Sequence, residues 1–175
     1  EAGQDFYGRG LKISCQDEIS GRLTCVESMC GMDEKRRLWM HFNIRYPVKA
    51  DSEAILEMIS SVAEAHGFFQ KLGRNSGPNY FPKEHPAVQR LTDVYNTLTG
   101  EQREPFVMGG GTYARKLPRA LAFGPSLPGK GNDHPMFLPG HGGGHEPDEG
   151  LRLDSLLEAM KIFCMGLLAV DELDL

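Results

Sequence analysis

The run "RRLWMHFNIRYPV", residues 36–48, constrains the fold more than any other stretch of the chain. Leu38, Met40, Phe42, Ile44 and Tyr46 alternate there with Trp39, His41, Asn43 and Arg45, the two-residue period of a strand with one buried face. Arg45 therefore shares a face with Asn43 and His41, opposite the apolar set. Two strand-like runs precede it, "GLKISC" (10–15) and "GRLTCVESM" (21–29), and the turn-formers "DEISG" and "GMDEK" separate the three. The pattern is that of an antiparallel meander. Asp51 or Ser52 can cap a helix over about 52–66, in which Ile55, Met58, Ile59 and Val62 recur at helical spacing before Gly67 stops it. Strands with one helix packed on a face make an α+β lobe.

Beyond residue 70 the grammar changes. "KLGRNSGPNYFPKEHP" (71–86), rich in Gly, Pro and Asn, reads as a crossover between lobes. A helix over about 86–99 comes after it, with Val88, Leu91, Val94, Tyr95 and Leu98 on one side and Gly100 closing it. Next come a short apolar strand "FVM" (106–108), the loop "GGGTYARKLPR" (109–119), a strand "ALAF" (120–123), a long loop from Gly124 to about Glu149, and a helix over about 152–173. Helices alternating with short apolar strands suggest an α/β layer. A loop that long inside a compact domain is usually functional or disordered.

Charge and cysteine usage narrow the function. A net charge of −5 and an isoelectric point near 5.7 offer no basic surface for phosphates, so nucleic acid is not expected as a partner. No apolar run approaches the roughly 20 residues of a membrane-spanning helix, and "EAGQDFYGRG" lacks the layout of a signal peptide. A cytoplasmic location without membrane partners is the expectation. Cys15, Cys25, Cys30 and Cys164 form no CxxC pair and are expected as reduced, mostly packed thiols. The opening residue is Glu1 instead of methionine, which suggests a piece of a longer polypeptide.

Three glycine loops invite a functional reading. "GPSLPGKG" (124–131) has Gly124, Gly129 and Lys130 at P-loop spacing, but Gly131 stands where a hydroxyl should hold magnesium, and Pro125 and Pro128 have no N–H for phosphate. "GGGTYA" (109–114) fits the dinucleotide fingerprint, yet the acid some 20 residues on, Asp133, ends no strand. Its better use is to bring backbone N–H groups close to a carboxylate or oxyanion, with the Thr112 hydroxyl beside them; the alternative is a tight strand-to-helix turn that binds nothing. In "HGGGHEPDE" (141–149), His145 is a candidate zinc or manganese ligand with Glu149 as the acceptor that orients its ring, or else a solvated loop histidine in an acidic patch. One histidine cannot hold a catalytic metal, and His141 and His134 lack the helical frame that makes paired histidines a strong signal. Either the chain is no metalloenzyme, or its other ligands lie elsewhere.

The ordered set "NIRYPV" (43–48), "HPAVQRLTDVYNTLTG" (85–100), "VMGGGTYARKLPRALAFGP" (107–125) and "HEPDEGLRLDSLLEAMKIF" (145–163) closely resembles the C-terminal part of PepV-type bacterial dipeptidases, within the aminoacylase and carnosinase-like family of dinuclear zinc peptidases. The resemblance implies an α/β and α+β fold: residues 1–75 as part of an α+β, ferredoxin-like lid domain, and residues 76–175 as the C-terminal part of the catalytic α/β domain. It implies His145 as the last metal ligand, with His141 the alternative, and Arg45 as the reader of the free carboxylate of a dipeptide substrate. It implies that the amides of Gly110, Gly111 and Thr112 help to hold that carboxylate, as a guanidinium fork and unobstructed N–H groups can. Two zinc ions, or manganese or cobalt, would activate the attacking water in the intact enzyme. The remaining ligands, the general base and the oxyanion-stabilising histidine belong to an N-terminal half outside these residues. The resemblance therefore implies a chain that needs that half as its partner and is inactive alone; the competing expectation is a non-catalytic module, structural or binding peptide carboxylates without chemistry.

Overall fold

The computed structural model describes residues 5–71, 73–124, 127 and 136–173. Along them run β1 (Gln16–Asp17), β2 (Gly21–Arg22), β3 (Thr24–Met32), β4 (Leu38–Arg45), α1 (Ser52–Ala65), α2 (Pro86–Thr99), a 3-10 turn (Tyr113–Lys116) and α3 (Leu153–Asp171). The described residues thus form a mixed α/β chain with two small antiparallel sheets, β1–β2 and β3–β4, and three α-helices. The chain divides into two compact units, Glu1–Tyr80 with Val107–Pro118, and Phe81–Phe106 with Arg119–Leu175.

In the first unit β3 and β4 pair from Thr24 opposite Arg45 to Met32 opposite Leu38. The register shifts between Glu27 and Met29, which leaves Ser28 as the extra residue of a bulge. Leu11, Ile13, Leu23 and Cys25 form the buried core, covered by Phe42 and Ile44 of β4 and by Ile55, Ile59 and Val62 of α1. The expected alternation holds where this core lies: Phe42, Ile44 and Tyr46 are half-buried and His41, Asn43 and Arg45 exposed. Leu38, Trp39 and Met40 are exposed in succession, because the core and α1 cover only the Cys25–Ile44 end of the ribbon. "GLKISC" forms no strand. Gly8 and Lys12 adopt left-handed backbone and the Ile13 N–H donates to Gly8 O, so the segment coils and delivers Leu11 and Ile13 to the core as loop residues. α1 matches its sequence signals, with the Asp51 carboxylate accepting from the N–H groups of Glu53 and Ala54 and Gly67 turning left-handed beyond the end.

In the second unit α2 begins at Pro86, with His85 Nδ1 accepting from the Ala87 N–H at 3.2 Å, and ends at the left-handed Gly100. It packs on α3, burying Ala87 and Leu91 on one helix and Ile162, Gly166 and Ala169 on the other. Phe123 meets Phe163 edge to face at 5.7 Å, and the Arg90 guanidinium joins Glu172 at 2.7 Å. The segments 106–108 and 120–123 form no strand among the described residues. An apolar run becomes a strand only with a neighbouring ladder to satisfy its N–H and C=O groups, and no described strand pairs with these two. Most of the 124–131 glycine loop, together with Asp133 and His134, lies outside the described residues. No helix among the described residues is long and apolar enough to cross a membrane, and all four cysteines are free.

Candidate carboxylate-binding site

Arg45 ends β4 on the exposed face of the ribbon, where the alternation puts it with Asn43 and His41. Its aliphatic stem passes the head of the glycine loop: a Cβ added to Gly109 would lie 3.5 Å from Arg45 Cδ. Among the described residues no carboxylate pairs with the Arg45 guanidinium. The N–H groups of Gly110, Gly111 and Thr112 likewise donate to no described group. Both features belong to the first unit, and the contact of the Arg45 stem with Gly109 sets this guanidinium, unpaired among the described residues, beside the head of the loop that carries the three amides. That is the donor set a carboxylate requires, a planar cation reinforced by main-chain N–H groups.

The residues after the glycines fix the shape of this loop. Thr112 caps the 3-10 turn, its Oγ1 accepting from the Ala114 N–H at 3.3 Å, which leaves the hydroxyl proton for an incoming acceptor. Ala114 is buried and pins the turn. Arg115 folds back over Gly111, where an added Cβ would stand 2.8 Å from its Nη1. Its Nη2 donates to Ser76 O at 3.1 Å and to Gly77 O at 2.7 Å. Sequence reasoning did not single out Arg115 or the 75–77 segment. The signal was an arginine three residues after the N-cap threonine, within "GGGTYAR" itself. Further along the exposed face of β4, the Ser28 hydroxyl lies 2.7 Å from His41 Nδ1 at the bulge.

The two candidate metal ligands sit in the second unit. His145 is exposed with a left-handed backbone, φ +67°, and Glu149 accepts from its main-chain N–H at 3.3 Å instead of from its ring. The half-buried His141 has Nδ1 2.8 Å from Asp148 Oδ2. A carboxylate that holds one ring nitrogen and leaves the other outward is the usual support of a metal-bound imidazole. Among the described residues no three His, Cys, Asp or Glu side chains gather as a metal site, so the described residues do not by themselves form a metal centre.

The described residues thus form a mixed α/β chain in which the Arg45 stem meets the head of a glycine loop. No family model matches the chain. It is similar to "Putative dipeptidase YtjP" of Bacillus subtilis, 34% identical over 164 residues that make up 93% of this chain and 32% of the relative. It is also similar to proteins named as putative dipeptidases in Staphylococcus haemolyticus, 31% identical over 121 residues (69% of this chain, 26% of the relative), and in Staphylococcus saprophyticus, 28% identical over 171 residues (97% and 34%). The chain spans about a third of the length of the curated relatives it matches.

Proposed function

We propose that this chain is the C-terminal part of a metal-dependent dipeptidase, in which it supplies the grip on the substrate's free carboxylate. The observation that carries the reading is the stem of Arg45 lying against Gly109, at the head of a loop whose Gly110, Gly111 and Thr112 amides are free among the described residues. The names of the relatives support a peptidase activity for the whole protein. In this reading residues 1–75 form part of a lid domain and residues 76–175 part of a catalytic domain. The whole protein works in the cytoplasm on short peptides.

Arg45 would bind the carboxylate bidentately while the loop amides and the Thr112 hydroxyl take its remaining lone pairs. A carboxylate so fixed sets the distance from the substrate's C-terminus to the scissile bond, which restricts cleavage to short peptides. His145 would supply one metal ligand, or His141 in its place, with the remaining ligands and the general base in polypeptide outside these residues. The bound ions, zinc by preference and otherwise manganese or cobalt, would activate the attacking water. The present residues hold too few ligands for that step to be traced through them.

The test is Arg45→Ala in the complete gene product, assayed on a free dipeptide and on the same dipeptide with its C-terminus amidated. A charge-assisted grip is worth about 1.5–3 kcal/mol, or roughly a 10- to 100-fold rise in KM for the free dipeptide, with little change for the amide. Equal kinetics for wild type and variant would remove the clamp from Arg45.

A further inference from the structure

The two halves of the carboxylate grip come from sequence positions more than sixty residues apart, and a third segment touches both. Tyr46, the residue after Arg45, places its hydroxyl 2.9 Å from Ser76 O and 3.1 Å from Asn75 Oδ1. Arg115, three residues after Thr112, donates through Nη2 to Ser76 O and to Gly77 O. The Ser76 carbonyl thus accepts from a neighbour of each half. Arg115 also lies across Gly111 closely enough that a side chain there would strike its guanidinium.

The geometry points to Arg115 as a positioning residue for carboxylate recognition, tying the Gly109–Thr112 loop to the 75–77 segment and through Tyr46 to Arg45. This role rests on the dipeptidase function proposed for the whole protein. The physical reason is entropic. Three consecutive glycines give a loop with much conformational freedom, and holding its amides toward one anion requires an external restraint. A planar guanidinium with donors on two adjacent carbonyls supplies that restraint without occupying the amides themselves. Arg115 makes no contact with substrate in this assignment. Its effect passes through the loop.

Two measurements test it. Hydrogen exchange of the segment 107–118 in the complete gene product should accelerate at least several-fold in Arg115→Ala, and Arg115→Lys, which keeps a donor for the carbonyls, should fall between the two. In the complete gene product Arg115→Ala should raise KM for a free dipeptide about 3- to 10-fold, with kcat within about twofold and little effect on the amidated dipeptide. Unchanged exchange would overturn the tether. Faster exchange with unchanged KM would overturn its role in recognition, and a KM effect without faster exchange would make Arg115 a direct substrate contact. An Arg115→Lys variant as damaged as the alanine one would overturn the role of the carbonyl bonds. Failure of the underlying dipeptidase function looks different: no turnover by the complete product, or an Arg45→Ala variant without effect, and the positioning role falls with it.

Discussion

At the scale of single residues, Asp17 gathers several donors in the first unit. One of its oxygens accepts from the N–H groups of Ile19 and Ser20 and from the Ser20 hydroxyl, and the other accepts from the Lys49 N–H. The Ser20 oxygen in turn accepts from the Val48 N–H. The β1–β2 hairpin is thereby stitched to the exit of β4, just past Arg45. Partial loss of water pushes the Asp17 carboxyl up, but the donors from Ser20, Lys49 and Ile19 outweigh it and bring the pKa from 3.8 down to about 2. A folded pKa below the unfolded one means that this stability is fully present above about pH 4. It declines as protons bind and is lost as the pH falls through 2. Melting temperatures of the wild type should therefore drop between pH 4 and pH 2, and Asp17→Asn should lower Tm at neutral pH while flattening that decline. An acid profile identical in the two proteins would detach Asp17 from it.

At the scale of elements, legibility followed how local each determinant is. α1 and α2 were readable because their periodicity, the Asp51 cap, Pro86 and Gly100 are all encoded within a few residues. "GLKISC" misled because Leu11 and Ile13 have strand-like spacing, while the positive φ of Gly8 and Lys12 that coils the segment leaves no mark in apolar periodicity. The segments 106–108 and 120–123 have strand composition but no described ladder, and pairing is not a local property. In the candidate site, the motif pointed to the loop and Arg45, but the bonds of Arg115 to Ser76 and Gly77 join stretches 39 and 38 residues apart and come only from the fold. Of the α2–α3 contact only the apolar side of α2 was legible, not its partner or its closeness. Gly166 admits Leu91 so tightly that an added Cβ would stand 2.9 Å from Leu91 Cδ2 and 3.3 Å from Phe123 Cε1. Gly166→Ala should be nearly neutral, since the helix gains about 1 kcal/mol in propensity and the tip of Leu91 can shift. Gly166→Leu should cost about 1–3 kcal/mol through overpacking. Urea unfolding of the two variants measures the difference, and a leucine variant as stable as the alanine one would show that the helices do not meet at Gly166.

At the scale of the whole molecule, α3 leaves much apolar surface exposed. α3 exposes Leu153, Leu157, Met160, Leu167 and Leu168 while burying Ile162 and Ala169, so it is apolar around most of its circumference. Helices of that kind are normally enclosed. Beside it, Phe81, Leu91, Phe123, Phe163 and Leu167 line an open hollow of about 390 Å³ in the second unit. In the proposed function the rest of the protein would cover this apolar surface. The isolated chain, supplied with zinc or manganese, should release no amino acids from free dipeptides and should bind an apolar dye such as ANS. The complete gene product should hydrolyse dipeptides, and its metal content by elemental analysis should fall in His145→Ala. Full metal retention there would move the ligand to His141 or remove it from this chain, whereas turnover by the isolated chain would show that these residues carry a complete catalytic centre after all.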